Sequence, residues 1–125
     1  MSLFSRLRSR ARSAGREPDT LPVDLAPREF VQGRSQAAPV LDVRTAGEFA
    51  ARHLEGARNL DILEDGFMAR LEELGLDLDQ PVYLYCRSGN RSGHAARLLR
   101  KNGYARAFNV GGLEELVREG APTRS

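Results

Sequence analysis

The chain has 125 residues, 41% of them hydrophobic, which suits one globular domain able to bury a core without disulfides or a structural metal. Its formal net charge of +2 is too small to argue for nucleic acid. One cysteine excludes an intramolecular disulfide or a Cys-rich zinc site, two histidines argue against a His-rich one, and no apolar run approaches the ~20 residues of a membrane span.

Residues 1–20 are read as a basic, disordered N-terminal tail outside the fold. Met1 to Arg16 carries five Arg and no acidic residue, and without it the remainder is mildly acidic. Two sharper readings attach to it. Leu3, Phe4 and Leu7 can share one face of an amphipathic helix ringed by Arg6, Arg8, Arg10 and Arg12, which allows weak contact with an anionic membrane surface. The composition also suits a mitochondrial transit peptide, and it lacks the apolar core of a secretory signal. The domain is expected over residues 21–121, followed by a short C-terminal tail, 122–125.

Along the domain, Pro27 is placed to open a helix through Glu29, Phe30 and Val31. Pro39 to Val43 reads as a buried strand. Thr45 and Glu48 form a capping box for a short helix carrying Phe49. His53 to Ala57 reads as a turn, and Asn59-Leu60 as a short strand. A helix is predicted over Gly66 to Leu74, stopped by Gly75. Pro81 to Tyr85 is the clearest strand and runs directly into Cys86. Asn90 to Asn102 reads as a helix with Ala95, Leu98 and Leu99 facing the core, capped by Gly103. Ala107 to Val110 is a further strand, and Gly111-Gly112 turns into a last helix, Leu113 to Arg118. Strands alternating with helices predict an α/β domain with a mainly parallel sheet.

Open parallel sheets bind ligands beyond the carboxyl ends of their strands, where Cys86 lies. The following helix brings its unpaired N–H groups and positive dipole end to the same place, which favours a thiolate. Arg87 and Arg91 add charge, Ser88 and Ser92 add donors, and Gly89 permits a tight turn of inward-pointing amides. The product is an anion cradle with a nucleophilic sulfur at its base, needing neither metal nor cofactor. The bland alternative, a small buried hydrophobe at a strand end, fits this density of polar and cationic neighbours poorly.

In these segments the sequence resembles the single-domain rhodanese-like sulfurtransferase family. Leu41-Asp42-Val43-Arg44 with Glu48-Phe49 is similar to its first signature, and His53 to Asn59 to its second. Cys86-Arg87-Ser88-Gly89-Asn90-Arg91-Ser92 is similar to its active-site loop, and Gly111-Gly112 to the glycine pair before the last helix. The resemblance implies a central, mainly parallel five-stranded sheet with helices on both faces. It implies that Cys86 takes sulfane sulfur as a persulfide from a small anionic donor such as thiosulfate and gives it to cyanide or a thiol. Arg87, after the Cys, tilts the donor toward thiosulfate. Ser88, Gly89, Asn90, Arg91 and Ser92 would complete the substrate cradle, with Asp42 and Arg44 in support. The family often has Trp where this chain has Leu116, and Pro where it has Glu55.

Two rival readings share some of these features. Tyrosine-phosphatase-like enzymes and arsenate reductases also set Cys in an anion loop, but with five residues before the Arg; here four separate Cys86 from Arg91. A sulfur-carrier or regulatory module acting on a protein partner is the other. The lone thiol suits a reducing cytoplasm. Asp42 and Arg44 are expected to pair and brace the sheet end rather than touch substrate. His53 is expected to satisfy a turn rather than serve as a base. Tyr83 and Tyr85 should pack, or reach solvent with their hydroxyls.

Overall fold

Val82, Leu84 and Cys86 alternate with Tyr83 and Tyr85 along one strand, and the two sets are buried on opposite faces of a sheet. The computed structural model describes residues 21–34 and 37–125, so every expectation for the basic segment 1–20 lies outside the described residues. In chain order the elements are α1 (Pro27–Gly33), β1 (Val40–Asp42), α2 (Ala46–Ala51), β2 (His53–Leu54), β3 (Arg58–Asn59) and α3 (Phe67–Glu72). Then come β4 (Val82–Cys86), α4 (Asn90–Lys101), β5 (Ala107–Gly112), α5 (Leu113–Arg118) and β6 (Thr123–Arg124).

The central sheet is parallel, in the order β3-β1-β4-β5. It has four strands where five were expected. The fifth is reduced to a single parallel bridge at the β5 edge, where Asn109 N–H donates to Val23 O at 2.8 Å and Leu25 N–H donates to Asn109 O at 2.9 Å. Pro22 on one side and Pro27, which opens α1, on the other leave only a short stretch free to pair.

Helices cover both faces. Leu41, Val43, Leu84 and Cys86 pack with Phe67 and Leu71 of α3 and with Ala95, Ala96 and Leu99 of α4. On the other face, Val40, Tyr85, Phe108 and Val110 pack with Phe30 of α1 and Leu113 and Leu116 of α5. Leu84 and Leu99 are fully buried, so truncating either to Ala should cost about 2–5 kcal/mol. Leu98, placed in the core from sequence, is only partly buried, and Ala96 takes the inner position.

The capping box of α2 forms as expected, with Thr45 Oγ1 accepting from Glu48 N–H and Glu48 Oε1 accepting from Thr45 N–H. Residues 122–125, set outside the domain as a tail, are drawn onto it. Thr123–Arg124 pairs antiparallel with His53–Leu54, and Glu55 N–H donates to Pro122 O at 2.9 Å. Among the described residues no helix is long and apolar enough to cross a membrane.

Candidate active site

The alternation along β4 decides where the sulfur goes. Cys86, the last residue of the strand, faces the side that α4 covers, and α4 begins at Asn90. Three residues make the connection. Gly89, with φ +99°, supplies the left-handed turn that ordinary side chains avoid. The turn aims amides at the sulfur: Gly89 N–H donates to Cys86 Sγ at 3.0 Å and Ser92 N–H at 3.4 Å. The Ser92 hydroxyl stands 3.3 Å from the same atom.

The glycine pair of β5 closes the other wall. A Cβ on Gly112 would lie 2.3 Å from Arg87 O, so the two backbones approach as closely as only glycine allows. The register between β4 and β5 slips at this point, pairing Cys86 with Gly112.

Cys86 is 1% exposed. Burial pushes its thiol up, but the Ser92 hydroxyl and the amides of Ser92, Ser88 and Gly89 outweigh it, so the thiol lies below its ordinary value. Among the described residues no carboxylate or imidazole hydrogen-bonds the sulfur. A cradle of donors of this kind stabilises an anionic sulfur without a partner base.

The remaining loop residues divide. Arg87 and Ser88 are exposed, and Asn90 is exposed at the first turn of α4. Arg87 has no ion-pair partner among the described residues. It lines an open cleft of about 440 Å³ with Arg44, Glu48, Arg52 and Leu113. Arg91 is committed elsewhere: its guanidinium meets both carboxylate oxygens of Glu48, at 2.9 and 3.1 Å. Chiefly through that contact, the Glu48 carboxyl is lowered to about 2 and Arg91 is raised.

Asp42 and Arg44 form a buried ion pair, Nη2 to Oδ2 at 2.7 Å. The Tyr85 hydroxyl donates to Asp42 Oδ2 at 2.7 Å and accepts from Leu54 N–H at 2.9 Å. Tyr85 is fully buried rather than reaching solvent, and burial pushes its phenol well above the ordinary value. Asp42 is one strand away from the sulfur and braces the sheet, while Arg44 also reaches Arg52 O and borders the cleft. His53 stacks on Phe49 and its Nδ1 lies 2.7 Å from Phe49 O, a turn contact.

Two residues of the site escaped the sequence reading. Glu48 was read as a cap and not as the partner of Arg91. Asn109, which holds Ser92 Oγ at 2.7 Å, was read as a plain strand residue. Its signal is a carboxamide in an apolar strand, separated from the glycine pair only by Val110. Among the described residues no cluster of His, Cys, Asp or Glu could hold a metal ion.

Known proteins resemble this chain in sequence and in fold. The sequence matches the profile of the Rhodanese-like domain over residues 26–119. It is 41% identical over 88 residues to the uncharacterized protein YqhL of Bacillus subtilis, covering 70% of this chain and 66% of that one. It is 36% identical over 92 residues to thiosulfate sulfurtransferase GlpE of Pseudomonas fluorescens, covering 74% of this chain and 81% of that one. The solution structure of the Rhodanese-like domain of Anabaena Alr3790 superposes with a TM-score of 0.71 at 22% identity, covering 84% of this chain and 80% of that one, a likeness of fold.

Proposed function

Because this chain belongs to the rhodanese-like family, we propose that it is a sulfurtransferase that carries sulfane sulfur on Cys86. The observation that carries this reading is a buried sulfur surrounded by donors, with its thiol below the ordinary value. In the first step the thiolate attacks the outer sulfur of thiosulfate. The new S–S bond forms as the old one breaks, and sulfite leaves with the bonding pair. In the second, cyanide or a thiolate attacks the outer sulfur of the persulfide, and the Cys86 thiolate departs with its pair restored.

The roles follow from position. The amides of Gly89 and Ser92 and the hydroxyl of Ser92 hold the charged sulfur. Arg87, exposed and without an ion-pair partner among the described residues, meets the dianionic donor with Ser88 and Asn90 at the rim of the cleft. Arg91 acts through its charge while Glu48 fixes its position. Asp42 and Arg44 hold the sheet end in place. No cofactor enters these steps. A lone thiol of this kind suits the cytoplasm.

A phosphatase-like reaction fits less well, because the loop arginine it would use on the phosphoryl group is already engaged by Glu48. Thiosulfate:cyanide turnover measured beside hydrolysis of p-nitrophenyl phosphate separates the two. Sulfur transfer without phosphate release is expected, and the reverse result would overturn the proposal.

A further inference from the structure

Asn109 lies on β5, outside the loop, yet its side chain has every hydrogen-bonding position filled. Nδ2 donates to Asp24 Oδ1 at 2.9 Å and to Gly89 O at 3.1 Å. Oδ1 accepts from Gly111 N–H at 3.1 Å and from Ser92 Oγ at 2.7 Å. These partners fix the orientation of the carboxamide. A peptide N–H can only donate and a peptide carbonyl can only accept, so Oδ1 must face Gly111 and Nδ2 must face Gly89. The backbone of Asn109 is pinned as well, on one side to Val23 and Leu25 and on the other in register with Leu84. Gly93 leaves room for it, since a Cβ there would come within 3.2 Å of Nδ2.

Ser92 therefore has one proton and two acceptors, Asn109 Oδ1 at 2.7 Å and Cys86 Sγ at 3.3 Å. It cannot serve both fully. With Cys86 as a thiol, S–H donates to Ser92 Oγ and the hydroxyl donates onward to Asn109. When the sulfur proton leaves to solvent, the hydroxyl proton turns to the sulfur, and Oδ1 keeps only Gly111 N–H. We propose that Asn109 is a positioning residue that competes with the Cys86 sulfur for the Ser92 hydroxyl, so that Ser92 commits to the sulfur only when it is charged. Each ionisation then gives up the Ser92–Asn109 bond, and each reprotonation of the sulfur restores it.

This inference rests on the reading of Cys86 as a reactive sulfur, but not on its donor or acceptor. The charged groups around the pair are Arg91 with its Glu48, Arg87 at the cleft, Asp24 behind Asn109, and Arg97, which shares a groove with Asn109. None of them differs between the two backgrounds compared below.

The test is the pH dependence of Cys86 alkylation by iodoacetamide in wild type, Asn109→Ala, Ser92→Ala and the double variant. Asn109→Ala should lower the Cys86 pKa by roughly one unit, the equivalent of one neutral hydrogen bond, and should shift it little in the Ser92→Ala background. A rise, no change, or an equal shift in both backgrounds would overturn the proposal, because looser packing of Gly89 acts whether or not Ser92 is present. Crystal structures of the wild-type protein at pH values well below and well above the Cys86 transition, as thiol and as thiolate, test the same point without a variant. Ser92 Oγ should move toward the sulfur and away from Asn109 Oδ1, and an unmoved Ser92 would contradict it. Alkylation reads Cys86 whatever its substrate, so a protein inactive with thiosulfate still reports on Asn109.

Discussion

Glu48 holds the Arg91 guanidinium with both carboxylate oxygens, at 2.9 and 3.1 Å, while Oε1 also closes the first turn of α2 through Thr45 N–H. One side chain thus ties α2 to the first turn of α4, directly behind the cysteine loop. The carboxyl falls from its ordinary 4.5 to about 2, with the Arg91 contact as the main cause. A lowered acid stabilises the fold above its unfolded value and loses that contribution as pH falls through its folded value. Glu48→Gln, which keeps an acceptor for the cap, should therefore cost about 1 kcal/mol at neutral pH. Urea titrations should show the gap to wild type narrowing from pH 4.5 downward; a gap independent of pH would mean the pair adds nothing.

Tyr85 lies next to Cys86 in sequence but on the opposite face of the sheet. Tyr85→Phe leaves Leu54 N–H without its acceptor and removes one of the donors on Asp42 Oδ2, which keeps Arg44, and should destabilise the protein by about 2 kcal/mol. Because the lost hydroxyl is across the sheet from the sulfur, the alkylation rate of Cys86 should stay unchanged. A large change in that rate would show the two faces to be coupled.

At Gly112 the effect should be the reverse, falling on chemistry more than on stability. A methyl group there meets Arg87 O at 2.3 Å and must push the loop aside. Gly112→Ala should lower kcat/KM for thiosulfate by on the order of 100-fold, with the domain still folded. Near-normal turnover would mean that the loop geometry is not what the reaction depends on.

Arg87 and Arg91 should separate in kinetics. Arg87 is exposed and unpaired among the described residues, so Arg87→Ala should leave stability intact and reduce kcat/KM for thiosulfate roughly tenfold, the equivalent of a weak charge-assisted hydrogen bond. The loss should shrink at high salt. Unchanged kinetics at low salt would assign donor binding to the backbone alone.

Much of this site was legible in the sequence because its determinants are local. The alternation of Val82, Leu84 and Cys86, the glycine that permits the turn at residue 89, and the Thr45–Glu48 box three residues apart all lie within short windows. What escaped is tertiary. Glu48 and Arg91 are 43 residues apart, and no periodicity links them. Strand spacing leaves Tyr85 between packing and solvent, because it gives two faces without saying that both are covered. The fifth strand was expected from the resemblance, whereas the prolines flanking Val23–Leu25 limit it to one bridge. Asn109 offers only a carboxamide in an apolar strand, and its partners come from the edge bridge, the cysteine loop, α4 and its own strand.

The most direct test of the whole account is the intact mass of the protein after incubation with thiosulfate and removal of the excess. The account predicts a gain of one sulfur atom, located on the peptide containing Cys86, lost on addition of cyanide and absent from Cys86→Ser. An unchanged mass in the folded wild-type protein, or the same gain in Cys86→Ser, would contradict it.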